Sequence, residues 1–203
     1  MIRILRRNRL VLAGLLMALL LVCLAVFADV VAPRDPLAVN VFSALHPPNL
    51  QEPFGTDRFG RDLLSRVIHG SRISLGVAFS SVAIALIVGT FLGLISGYFG
   101  GLWDLVISRV MDVFFSFPVL FLAIAIAAML GPGIENAIMA IAIVYTPFFA
   151  RVVRGPVLAE REKEYVQAAR VVGASSGRIL FLHVFPNVLS PIIVQVSVTV
   201  AYA

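Results

Sequence analysis

The sequence predicts an all-α membrane protein, a polytopic helical bundle with five spans. Two observations carry this. Hydrophobic residues make up 60% of the 203 residues and charged residues only 13%, with a mean hydropathy of +1.00, whereas soluble domains are about half apolar and a quarter charged. Five stretches, residues 10–28, 73–97, 113–134, 136–150 and 184–203, carry no charged side chain, apart from Glu135 between the third and fourth. A helix needs about 20 apolar residues to cross the hydrocarbon core. The fourth stretch is short and is expected to extend past Arg151.

Taken in order, residues 1–9 form a basic N-terminal tail and residues 10–32 the first span. Arg3, Arg6, Arg7 and Arg9 precede an apolar run longer than the roughly 7–15 residues of a signal peptide, with no small-residue cleavage site before Asp29, so the span is read as uncleaved. Residues 33–71 follow as a polar loop. From Arg61 on, apolar residues at spacings of three and four predict an amphipathic helix able to lie in the interface. Its Asp and Arg residues serve either a lid or partner contact or, the favoured reading, a structural entry helix in which Asp57, Arg61 and Asp62 pair with one another.

The remaining residues, 72–203, form the main transmembrane domain. Gly89, Gly93 and Gly97 recur every four residues, the pattern of close helix packing. Residues 98–103 read as a glycine turn with interfacial aromatics, and Gly131-Pro132-Gly133 as the next turn. Arg109 and Asp112 are expected to pair locally on one helical face. Pro118 and Pro147 mark either hinges or fixed kinks. The chain stops at Ala203 within an apolar run, which is read as a C-terminal truncation.

With the N-terminus inside and Arg109 at the start of the third span left aside, Arg3, Arg6, Arg7, Arg9, Arg151, Arg154, Arg161, Lys163, Arg170 and Arg178 are expected in the cytoplasm, and Arg34, Arg58, Arg61, Arg66 and Arg72 outside. That bias sets the expected topology, a multi-pass protein with a cytoplasmic N-terminus. The net charge of +5 is therefore topological, and membrane lipid rather than nucleic acid is the expected surrounding. Catalysis finds no support. Cys23 stands alone, and His46, His69 and His183 show no metal-ligand spacing. No phosphate-cradling loop or serine elbow occurs. Neither catalytic residues nor a metal or cofactor are expected in this chain, and it is not read as an enzyme.

The polar island between the last two spans is the most informative segment. A short helix is expected over residues 160–172, with acidic residues at its start, Gly173 as a left-handed cap and Ser175 or Ser176 capping a second helix. Pro186 then marks re-entry into the membrane. Small residues at Ala168 and Ala169 would let another protein approach closely.

This segment, with Ala168-Ala169, Gly173 and, twelve residues on, Phe185-Pro186, resembles the cytoplasmic EAA-type coupling loop of ATP-binding-cassette importer permeases. The resemblance covers most of the chain. Gly55-Thr56-Asp57-Arg58-Phe59-Gly60-Arg61-Asp62-Leu63-Leu64-Ser65-Arg66 is similar to the first external loop of the C-type permease subunit of dipeptide, oligopeptide and nickel importers. Gly97-Tyr98-Phe99-Gly100-Gly101 and Arg109-Val110-Met111-Asp112-Val113 also fit that family.

The resemblance implies a type I importer subunit of six helices, the fifth incomplete and the sixth missing here, in a bacterial or archaeal plasma membrane. It implies a coupling loop over residues 155–187 in which Glu164, Tyr165, Gln167, Ala168, Ala169, Arg170, Gly173, Ala174, Phe185 and Pro186 face or shape the ATPase contact. It assigns the external-loop motif to Gly55, Thr56, Asp57, Gly60, Arg61, Asp62, Ser65 and Arg66. Its implied partners are ATPase subunits, which would bind ATP and Mg, a homologous second permease subunit, and an external substrate-binding protein. Gln167 stands where the family has glutamate, and Phe185 where it has leucine. Peptides lead as cargo; nickel or another small solute, and a stand-alone secondary transporter, are the alternatives. The last would call for inverted repeats or charged groups near mid-membrane.

Overall fold

The computed structural model describes residues 9–202, so Arg3, Arg6 and Arg7 of the N-terminal tail lie outside the described residues. Every regular element among them is helical, with one isolated antiparallel bridge between Thr56 and Asp62. Four helices are long and apolar enough to cross a membrane, and a bent pair makes up to five. Two compact units divide at Gly76.

The first unit holds α1 (Arg9–Val26), the short α2 (Ala28–Val31), the external loop and the opening turns of α3 (Leu63–Phe99). Only Ala25 of α1 is buried, as suits a span whose sides meet lipid. Arg72 closes its C-terminal end, donating to the carbonyls of Ala25 at 3.0 Å and Val26 at 3.1 Å, and pairing with Asp29 at 3.0 Å. A cation there complements the exposed carbonyls and the negative end of the helix dipole. The expected separate interfacial helix is corrected: Asp62 caps α3 by accepting from the Ser65 N–H at 2.8 Å, and from there one continuous helix runs to Phe99. No helix breaker interrupts residues 63–99, so the amphipathic turns simply lead into the span.

The second unit contains the rest of α3, then α4 (Gly101–Phe115), α5 (Val119–Leu130), α6 (Ile134–Glu160), α7 (Glu164–Val171), α8 (Ser176–Ile179) and α9 (Leu189–Tyr202). α3 and α6 run parallel in close contact. A Cβ on Gly89 would meet the Thr146 carbonyl at 2.5 Å, one on Gly93 the Ala150 carbonyl at 2.5 Å, and one on Gly97 the Val157 side chain at 2.8 Å. The four-residue glycine repeat thus lets two backbones touch where lipid gives no hydrophobic drive for association.

The third span differs from its expected form. α4 and α5 are bent by 96° at their junction, because Pro118 supplies no N–H and starts a new helix while Ser116 ends the old one. The helical segment therefore begins at Gly101 rather than residue 113. Arg109 and Asp112 do not pair locally; Asp112 pairs with Arg151 of α6 at 2.7 Å. Tyr98 is not an interfacial anchor but a buried core residue, while Trp103 is exposed. At the next turn, Asn136 donates to the Leu130 carbonyl at 2.9 Å and holds the Gly-Pro-Gly corner.

The last span also starts earlier than expected. The chain stays helical from Ser176 to Tyr202, passing through a π turn at Leu180–Val184 and a 3-10 turn at Phe185–Val188. Pro186 therefore does not break the helix. It lacks an N–H and its ring crowds the carbonyl four residues earlier, and the widened π turn just upstream accommodates both.

Candidate functional site: the bracket at the end of α6

α6 ends at Glu160, and residues 161–163 turn the chain into α7, which starts at Glu164 rather than 160. Glu160 belongs to the preceding span and is paired with Lys163 at 2.8 Å, while Glu164 occupies the first turn of α7, where the dipole favours an acid. The helix stops in a Schellman arrangement: Gly173 N–H donates to the Arg170 carbonyl at 3.0 Å and Ala174 N–H to the Ala169 carbonyl at 3.0 Å, with Gly173 at φ +81°. A Cβ at Gly173 would meet nothing within 4 Å. Glycine is required there for its backbone angle, not for space. Ser175 caps α8, accepting from the Arg178 N–H at 3.4 Å.

One face of this bracket is fixed to the spans. Val166 is fully buried in a core with Leu94 and Tyr98 of α3, Val153 and Val157 of α6, and Ile179, Leu180 and Val184 beyond the bend. Ala169, Ala174 and Phe185 pack against the same core. Glu164, Gln167 and Ala168 face away from this core and are exposed, while Arg170 and Gly173, also exposed, lie one and two turns on from Val166 along its own side. The two small residues of the motif therefore divide their work: Ala169 is half-buried against the core and Ala168 faces outward. Tyr165 is part-exposed, and Pro186 is exposed.

Polar contacts lock the bracket at both ends. The Tyr165 hydroxyl donates to the Glu160 carboxylate and accepts from the Asn187 amide at 3.2 Å, and that amide also donates to the His183 carbonyl at 2.6 Å. Burial, and then the bond to Glu160, push the Tyr165 hydroxyl above its ordinary pKa. Arg161 donates to the carbonyls of Gly97 at 2.8 Å and Tyr98 at 3.3 Å, and the Arg170 guanidinium lies over the Tyr98 ring, 5.5 Å from its centroid. Beneath them, Arg154 grips both oxygens of Asp104 at 2.5 and 2.6 Å, with Ser96 and Ser108 donating to the same carboxylate. Sequence reasoning missed this cluster. Its signal was an acid, Asp104, and a base, Arg154, each at the edge of an apolar stretch, a combination that is costly unless paired.

The external-loop motif residues occupy the first unit and act there as a scaffold. Asp57 accepts from the N–H groups of Phe59 at 2.8 Å and Arg61 at 3.0 Å, and pairs with the Arg61 and Arg66 side chains. Burial pushes its carboxyl up, but these bonds and charges outweigh it and hold its pKa down at about 2. Thr56 is buried, donating to the Ser43 carbonyl and accepting from the His46 N–H at 2.9 Å. Ser65 donates to Asp62 at 2.6 Å and accepts from the Arg34 N–H at 3.0 Å. Gly55 and Gly60 both have positive φ, and a Cβ on Gly60 would lie 1.7 Å from the Asn40 carbonyl. The expected pairing of Asp57 with Arg61 is present, whereas Asp62 serves as a helix cap.

Glycine-zipped parallel spans, a broken third span and a locked polar bracket between two further spans define a multi-pass membrane component rather than a soluble domain. Residues 89–203 match the family described as binding-protein-dependent transport system inner membrane component, and residues 1–48 match the N-terminal transmembrane domain of oligopeptide transport permease C. The chain belongs to this permease family. It is 45% identical over 193 residues to a dipeptide transport system permease protein of Alkalihalophilus pseudofirmus, covering 95% of this chain and 64% of that protein. It is 44% identical over 202 residues to a di/tripeptide transport system permease protein of Pseudomonas aeruginosa, covering 97% and 67%. With a probable D,D-dipeptide transport system permease protein of Escherichia coli K12 it shares 44% identity over 184 residues, covering 91% and 62%. The chain thus spans between 62% and 67% of the length of these three relatives.

Proposed function

We propose that the chain is a permease subunit of a binding-protein-dependent importer of di- and oligopeptides, and forms half of its translocation path. A homologous second subunit supplies the other half, and an external binding protein delivers the cargo. ATPase subunits, which bind ATP and Mg, dock on the bracket within residues 155–187. The N-terminus is cytoplasmic, so the external-loop motif faces the binding protein's side of a bacterial or archaeal plasma membrane. The chain itself performs no covalent chemistry.

The observation that carries this reading is the two-faced bracket. Val166 is buried among residues of α3, α6 and the start of the last span, while Glu164, Gln167, Ala168 and Arg170 stand exposed a few ångströms away. A push on the exposed face reaches the spans directly, since Arg161 and Arg170 engage the end of α3 at Gly97 and Tyr98. Closure of the ATPase pair then biases the spans between inward- and outward-open packings. Gln167 in place of an acid removes one charge from the docking surface and makes the contact less sensitive to salt.

The test is purification of the complete complex and ATP-driven uptake in liposomes with the binding protein present. Peptide uptake with two ATPases and a second permease in the complex is the expected result. Uptake of nickel in place of peptide would reassign the cargo, and uptake by this subunit alone would overturn the importer reading.

A further inference from the structure

Asp112 and Arg151 form an ion pair within the helices α4 and α6, not in the cytoplasm where the charge count put Arg151, and both side chains are about half exposed (51% and 55%). Along α6, Arg151 lies about 13 Å from the Glu160 end, and along α4, Asp112 lies about 16 Å from Gly101, at 1.5 Å per residue. Those two ends share a membrane face, because Arg161 bonds the carbonyls of Gly97 and Tyr98 just before α4 begins. α6 is 27 residues long, about 40 Å at 1.5 Å per residue and so about 10 Å longer than a hydrocarbon core of about 30 Å, which sets the pair in the inner part of the spans rather than at the midplane.

Lipid is a poor neighbour for it, since charged side chains facing hydrocarbon are costly and are found turned to the bundle interior or to a water-filled cavity. Snorkelling does not relieve this cost. Asp112 has a single methylene, and the Arg151 guanidinium is held by its carboxylate at 2.7 Å and over the Phe115 ring, 4.0 Å from the centroid. The arginine is thus tied to the pair rather than extended toward the interface. A half-open charge pair held there fits the wall of a water-filled path.

The chemistry of the pair then selects a ligand. The carboxylate can accept an ammonium group, the planar guanidinium can bind a carboxylate through two N–H groups, and Phe115 and Phe148, edge to face at 4.9 Å, form an apolar shelf beside them. We propose that Asp112 and Arg151 are a charge-exchange station on the path, opening to take the ammonium and carboxylate ends of a zwitterionic short peptide. Each charge keeps a partner throughout, so passage exchanges one pair of contacts for another. This rests on the peptide reading of the cargo.

The experiment uses the complete importer in liposomes, with Cys23, exposed on α1, replaced by serine. The thiol of Asp112→Cys is expected to react with a membrane-impermeant cationic thiol reagent; an unreactive thiol places the residue against protein or lipid and overturns the proposal. The charge swap Asp112→Arg with Arg151→Asp then separates the roles. A purely structural pair is rescued by the swap, whereas a station with fixed polarity leaves zwitterionic dipeptide uptake at least tenfold down in complexes that co-purify intact. Wild-type uptake by the swap overturns the proposal. Should the swap not assemble, the double variant Asp112→Asn with Arg151→Gln, which keeps a hydrogen bond but no charge, carries the same comparison. If the unmodified importer takes up no peptide, the cargo reading fails, while the thiol result still decides whether residue 112 lines the path.

Discussion

Arg161 donates to the carbonyl oxygens of Gly97 and Tyr98 at 2.8 and 3.3 Å, so the residue that follows α6 caps the end of α3. These carbonyls have no partner within their own helix, and a cation there meets the negative end of the dipole. The contact binds the bracket to a second span besides the one it grows from. Arg161→Ala is expected to cost about 1–3 kcal/mol, the range for a hydrogen bond to a charged group. More tellingly, it should leave ATPase association intact while lowering ATP-driven uptake several-fold. Measuring ATP hydrolysis and uptake on the same liposomes checks this; parallel loss of both would mean that the arginine serves folding alone.

The glycines of α3 offer a contrast within one helix. Gly93→Ala forces a methyl to within 2.5 Å of the Ala150 carbonyl and 2.7 Å of the Val153 side chain. Overpacking of this kind costs about 1–3 kcal/mol. Gly76→Ala meets nothing within 4 Å and should stabilise by about 0.5–1 kcal/mol through helix propensity. Thermal unfolding of the two variants in detergent should shift in opposite directions.

How much of this was legible beforehand follows from the range of each interaction. The glycine repeat and the Gly173 cap are written in spacings of a few residues, so sequence alone exposed them. The partner of Asp112 was misread because Arg109 is three residues away in the chain, whereas Arg151 arrives only when α4 packs on α6. Asp104 and Arg154 were overlooked for the same reason. Tyr98 carries a ring that suits an interface as well as a core, and only the Val166 cluster decides between them. The break at Pro118 and the passage through Pro186 show one residue type with two outcomes: a new helix begins at the first, while a π turn absorbs the second.

Acid should loosen the external loop. Asp57 titrates at about 2 in the folded protein against 3.8 as its ordinary value. A carboxyl whose pKa is depressed on folding contributes stability that is complete above the unfolded value and is lost as pH falls through the folded one. The loop should therefore hold above pH 4 and loosen between about pH 4 and pH 2, as its bonds to Phe59, Arg61 and Arg66 lose their charged acceptor. Protease nicking within residues 33–62 of intact proteoliposomes, followed against pH, checks the window. Asp57→Asn should bring the same nicking at neutral pH.

Adjacent alanines of the bracket should fail in different ways. Ala168 is exposed and Ala169 is packed against the core. Ala168→Arg adds a bulky cation to the exposed face only, so the subunit should insert and melt like wild type yet, on the proposed docking, recover little ATPase on purification. Ala169→Arg drives a charge toward Val166 and Val157, which costs several kcal/mol unless the bracket swings out, so its melting temperature should fall along with ATPase recovery. Gly173→Val tests the bend between them. A β-branched residue at φ +81° is strained by roughly 1–2 kcal/mol, with no clash to blame since nothing lies within 4 Å. Gly173→Asn, which tolerates the left-handed region, should recover most of the loss. Equal failure of the valine and asparagine variants would point instead to close approach of the ATPase at Gly173, and would move the docking surface from α7 onto the bend itself.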